Sequence, residues 1–216
     1  MMEMIHQALD FVLHLSDRLN ELAGAHPETA YGLLFLIVFC ETGLVFLPFL
    51  PGDSLLFAVG AVCAGGAMSP AYSAGVLISA AFLGDNVNYW VGRLAGKELA
   101  GRLPRLVRPQ HLERTHQFFE KYGRKTIIFA RFVPIIRTFT PFVAGMGAMG
   151  YGRFLISSGI ATLLWVGLIL PAGWFFGNLG PVKRHFELVV VAIIFISALP
   201  MLVELMLARR TSDSSD

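Results

Sequence analysis

Five ionisable side chains stand inside or at the edge of long apolar stretches: Glu41, Asp53, Asp85, Arg131 and Arg137. A charged group at the centre of a membrane span costs roughly 2.5 to 3.5 kcal/mol, so five uncompensated ones would cost on the order of 10 kcal/mol. Pairing must offset most of that. Arginine suits the task, because its planar fork of donors matches carboxylates and phosphates alike. One reading gives Glu41 and Asp53 only the work of neutralising Arg131 and Arg137 and fixing the packing. The functional reading makes Arg131 and Arg137 an anion site and lets Glu41 or Asp53 take up a proton that changes the pairing. Asp85, beside Asn86 and Asn88, is a candidate for the same polar path; its place near the end of an apolar run favours a solvated helix end instead.

The segments that must hold these residues are unusual. YGLLFLIVFCETGLVFLPFLPGDSLLFAVGAVCAGGAM, residues 31–68, is long enough for nearly two crossings but is interrupted by Glu41, Pro48, Pro51, Gly52 and Asp53. Prolines remove helix donors, and backbone freed in this way is tolerated at membrane depth only against protein or a wet cavity. A re-entrant hairpin follows. A second interrupted segment spans 126–150, with Arg131, Pro134, Arg137, Pro141 and Gly145 as its irregular residues. Pro48-Phe49-Leu50-Pro51-Gly52 and Pro141-Phe142-Val143-Ala144-Gly145 echo each other as P-F-x-x-G, a short match that alone is weak. Paired broken segments in two halves of a membrane protein point to a transporter's central site.

Around these lie plainer elements. Residues 71–92 read as a helix, with Tyr89 and Trp90 fitting an interfacial belt; 154–177 and 188–208 read as full spans. Residues 1–29 hold an amphipathic helix too polar to span, lying on the membrane surface or packed on the protein's own bundle. No basic n-region or small-residue cleavage site marks it as a signal peptide, so it is expected to be retained. Between Arg93 and Lys125 nine basic residues face three acidic ones, which places the 93–125 loop in the cytoplasm. Arg209 and Arg210 place the C-terminal tail, 209–216, on the same side, and the two hairpins then approach from opposite faces.

Composition agrees. Of 216 residues 55% are hydrophobic and 15% charged, with a mean hydropathy of +0.64, whereas a soluble domain carries about 25% charge. The reading is an all-α polytopic membrane protein whose membrane domain spans 30–208. A net charge of +2 gives no nucleic-acid surface. Cys40 and Cys63 lie in apolar runs and imply neither a disulfide nor a zinc framework. Gly145 to Gly150 satisfies G-x-G-x-x-G but lacks the strand and acid that give that fingerprint meaning, so it reads as close helix packing. His111, Glu113, His116 and Glu120 match no metal-ligand spacing. No phosphate-binding loop or nucleophile elbow is present, and no metal, cofactor or enzymatic activity is expected.

FARFVPIIRTFTPFVAGMGAMGYGRF, FCETGLVFLPFLPGDSLLFAVGA and GDNVNYWVGRLAGK together resemble the DedA family of bacterial inner-membrane proteins, over about Phe11 to Arg210. The resemblance implies a VTT domain, shared with eukaryotic lipid scramblases, with two re-entrant hairpins facing each other. It also implies a multi-pass inner-membrane protein that returns undecaprenyl phosphate across the membrane, and its essential charged residues fall on Glu41, Asp53, Arg131 and Arg137. The expected partners are a polyprenyl phosphate and protons; self-association stays open. Family members are also linked to proton-motive-force maintenance, so two alternatives stand: a proton-coupled monovalent cation antiporter and a non-transport membrane scaffold.

Overall fold

The computed structural model describes residues 21–44, 52–102, 123, 125–147 and 149–179. Among these, all regular structure is helical: α1 (Pro27–Gly43), α2 (Gly52–Ala64), α3 (Pro70–Arg102), α4 (Pro134–Met146) and α5 (Tyr151–Gly177). Helical turns also cover 21–25 and 125–130. The all-α expectation holds for this part of the chain. Most of the N-terminal helix, the turn carrying Pro48 and Pro51, the cluster from His111 to Glu120, the 188–208 span and the 209–216 tail lie outside the described residues.

Helix limits follow local chemistry. Pro27 and Pro134 occupy first-turn positions of α1 and α4, where a missing N–H costs nothing. Pro70 opens α3, which continues ten residues past the limit expected at 92, because no proline interrupts the chain until Pro104 and charged residues such as Arg93 do not break helices. At about 1.5 Å per residue, α5 is about 40 Å long. It is the one helix among the described residues long and apolar enough to cross a membrane. By the same rise α1, with 17 residues, and α2 and α4, with 13 each, fall short of the roughly 30 Å hydrocarbon core.

Between 125 and 146 the second interrupted segment breaks at one place. Residues 125–130 are helical, Arg131 to Val133 turn, and Pro134 starts α4. The breaks expected at Pro141 and Gly145 are corrected: both residues lie inside α4. Pro141 removes the N–H that would bond the Arg137 carbonyl, a loss that a packed membrane helix tolerates. Gly145 lies there for packing, since a Cβ on it would strike the Tyr89 carbonyl and come within 2.8 Å of the Arg93 nitrogen of α3. The P-F-x-x-G echo thus ends at a helix start in its first copy, where Gly52 opens α2, and in a helix interior in its second.

Helix α3 is central. It packs on α1, α4 and α5, while α2 packs mainly on α5. One apolar core joins Leu34 and Val38 of α1, Leu56 and Val59 of α2, Leu77 and Ala81 of α3, and Trp165 and Val166 of α5. A smaller cluster holds Tyr89, Ala144 and Phe154. Backbones approach closely where glycines meet them: Gly43 on Gly84, Gly60 on Gly173, and Gly92 on Phe142. Small residues at helix contacts characterise packing inside a membrane, where dispersion and close approach replace the hydrophobic drive. Tyr89 corrects another expectation: it is fully buried and donates its hydroxyl hydrogen to the Met149 carbonyl, while its neighbour Trp90 remains half exposed. Cys40 and Cys63 are free thiols, the latter 3.5 Å from the Ser73 hydroxyl.

Candidate functional site

The five charged residues converge, from four helices and one turn. Glu41 stands in the last turn of α1, Asp53 in the first turn of α2, Asp85 midway along α3, Arg131 in the turn before α4, and Arg137 one turn inside α4. Arg137 holds two acids with one fork: Nη2 pairs with Glu41 Oε1, and Nη1 donates to Asp53 Oδ1 at 2.8 Å. Arg131 pairs through Nη1 with Asp85 Oδ2. Glu41 and Asp85 are each 2% exposed, Arg131 5% and Arg137 8%, while the Asp53 side chain is 21% exposed and forms the open edge of the cluster.

The pairing corrects the sequence reading at Asp85. It is no solvated helix end but the acid that neutralises Arg131, and it also accepts a 2.7 Å hydrogen bond from Ser158 of α5. Asn88, one turn further along α3, is buried and donates from Nδ2 to the carbonyls of Thr42 at 3.0 Å and Thr138 at 2.8 Å. It therefore clamps the ends of α1 and α4 together beside the charges and is part of the scaffold of the site.

Trp165 was not singled out from sequence, yet it touches both halves. Its ring lies 4.8 Å from Arg137 Cζ and 5.0 Å from Arg131 Cζ, and its Nε1–H donates to Asp53 Oδ1 at 2.7 Å. Stacking on an aromatic face holds guanidinium planes where water cannot. The available signal was the spacing of Ser158, Thr162 and Trp165, which puts three polar-capable side chains on one face of an otherwise apolar span. Gly52 was legible only as a break residue. Its Cβ, if present, would overlap the Glu41 carboxylate, so glycine lets the α2 start close over that acid.

Three carboxylates face two guanidiniums, so the fully ionised cluster carries one negative charge in excess. Buried charge left unbalanced costs several kcal/mol. The arrangement can therefore exchange protons against pairing. Among the described residues no group of histidine, cysteine and acidic side chains forms a metal site.

Comparison with known proteins identifies the family. The VTT domain family matches residues 50–175, which include Asp53, Asp85, both arginines and Trp165. The chain is 46% identical to Protein DedA of Escherichia coli over 214 residues, 98% of each chain. It belongs to the DedA family of VTT-domain membrane proteins. Within the family it is also 42% identical to an uncharacterized membrane protein of Mycobacterium tuberculosis, over 85% of this chain and 83% of that one. The Inner membrane protein YqjA of Escherichia coli is 36% identical over 73% of this chain and 71% of its own. No solved structure matches the chain.

Proposed function

We propose that this protein is a proton-coupled carrier of the bacterial inner membrane that moves a polyprenyl phosphate, undecaprenyl phosphate in the reading drawn from the family, between leaflets for envelope synthesis. One observation carries the proposal: two arginines, paired to three acids, are buried together in a membrane protein where interrupted segments meet. A phosphate leaving the headgroup layer needs charge-assisted donors, and these arginines supply them when their acids are protonated. Glu41 and Asp53 handle the proton, Arg131 and Arg137 the phosphate. The short helices α1, α2 and α4 suit opposed re-entrant segments, and Arg209 with Arg210 suit a cytoplasmic C-terminus. Relatives bearing the name of an inner-membrane protein support the location. The protein acts as a carrier, with no bond made or broken.

The acid excess favours one second reading, a cation antiporter in which the carboxylates bind a monovalent ion and the arginines balance charge. Reconstitution decides between them. In proteoliposomes the wild type flips a labelled polyprenyl phosphate, and the Arg131→Lys, Arg137→Lys double variant, which keeps charge but loses both forks, falls at least tenfold. Full activity of that variant refutes the phosphate clamp; cation flux in vesicles free of polyprenyl phosphate establishes the antiporter.

A further inference from the structure

The two arginines are not equivalent. Arg137 spends Nη1 and Nη2 on Asp53 and Glu41. Arg131 spends only Nη1, and its Nε and Nη2 are buried without a hydrogen-bond partner. Those two atoms form one edge of the guanidinium, with parallel N–H bonds spaced to meet two oxygens of a single oxyanion. A third orphaned donor lies on α5. Thr162 is fully buried and its hydroxyl has no partner; it stands one turn beyond Ser158, which bonds Asp85, and one turn before Trp165, which covers Arg131. That spacing puts Thr162 on the face of α5 that meets Arg131.

Buried donors without partners are rare, because each forfeits its hydrogen bonds to water and gains none in return. Here the orphaned donors cluster, and they are donors of the kind an anion satisfies. Asp85, Ser158 and Trp165 hold the guanidinium from its other side and from above, so the free edge is presented rather than loose.

Building on the phosphate reading above, we infer that the oxyanion subsite belongs to Arg131 rather than to both arginines: two phosphate oxygens take the Nε–H and Nη2–H edge, and the Thr162 hydroxyl donates to one of them. Arg137, already saturated, serves as the lock between Glu41 and Asp53 and yields its acids as the site opens. Asp85, Ser158 and Trp165 are positioning residues for Arg131. The ligand chemistry is a phosphate, met either as a lipid headgroup or as free phosphate.

Equilibrium binding to the full-length protein in detergent tests this, using radiolabelled inorganic phosphate and octyl phosphate as separate probes. The expected result is that Arg131→Lys weakens binding at least tenfold more than Arg137→Lys does. Thr162→Val weakens it three- to tenfold, and Thr162→Ser, which keeps the hydroxyl, restores it. Octyl phosphate binding at least tenfold tighter than inorganic phosphate identifies the lipid headgroup as the source; equal affinities identify free phosphate, and both support the subsite. Should Arg131→Lys fail to fold, the Thr162 pair carries the test, and wild-type affinity in Thr162→Val overturns the inference. A loss in Arg137→Lys equal to or larger than that in Arg131→Lys overturns it while leaving the phosphate reading intact. Binding of neither probe by the wild type overturns both.

Discussion

Glu41 and Asp53 share one guanidinium, and the proposed proton role of the two acids rests on that sharing. On the phosphate reading, an anion seated on Arg131 adds negative charge beside Arg137 and its two acids, so those acids gain affinity for protons as the anion binds. Linkage makes the expected effect reciprocal: on that reading proton and phosphate should bind with positive coupling. Affinity for a phosphate probe therefore weakens as pH rises, over and above the titration of the phosphate itself. Measured against pH in detergent, at least one of Glu41→Gln and Asp53→Asn should flatten that dependence. If both variants keep the wild-type profile, the carboxylates carry no coupled proton.

Helix contacts govern whether these residues meet at all. Asp53 reaches Trp165 only because α2 lies tight on α5, and the contact is made by glycine on both sides: a Cβ on Gly60 would come within 2.9 Å of the Gly173 Cα, and one on Gly173 within 3.0 Å of the Phe57 Cα. The obstacles are backbone atoms, which cannot swing aside as a side-chain tip can. Gly173→Val should therefore lower the midpoint of thermal unfolding in detergent, by the equivalent of about 1–3 kcal/mol expected for overpacking, and should abolish transport by parting Asp53 from Trp165. Gly167→Ala on the same helix, with open space around it, should be neutral or slightly stabilising. Equal behaviour of the two variants would show that the α2–α5 approach does not set the site.

Across the whole molecule the question is which side each interrupted segment faces. Single cysteines in a background lacking Cys40 and Cys63 report this, provided the probe sites tolerate a side chain. Gly52 and Gly145 do not, since a Cβ at either meets Glu41 or the Tyr89 carbonyl. Leu44 and Phe132, each 45% exposed and next to the two breaks, are suitable. Opposed segments predict that a membrane-impermeant maleimide labels Leu44→Cys and Phe132→Cys from opposite faces of oriented vesicles. Labelling from one face refutes opposition.

The sequence by itself determined the class of the molecule and four of the charged residues that the structure brings together. Apolar runs too long to be soluble and too interrupted to be simple spans required a membrane protein with irregular segments, and the cost of charge in hydrocarbon singled out Glu41, Asp53, Arg131 and Arg137 as residues that must find partners. The motif around Arg131 and Arg137 pointed to the right family. Pairing was beyond its reach. Which acid faces which arginine depends on helix rotation and on approach distances set by glycines far apart in the chain, and so Asp85 read as a helix end until α3 was found passing through the centre. Pro141 and Gly145 read as breaks because their local preferences are against helix, whereas packing against α3 overrode those preferences and used Gly145 for contact. Trp165 carried only the weak signal of its spacing from Ser158 and Thr162, in a span rich in large apolar residues. Only the tertiary structure brought its ring over both guanidiniums and left one edge of Arg131 unpaired, because hydrogen-bond satisfaction belongs to an arrangement of neighbours and not to a residue type.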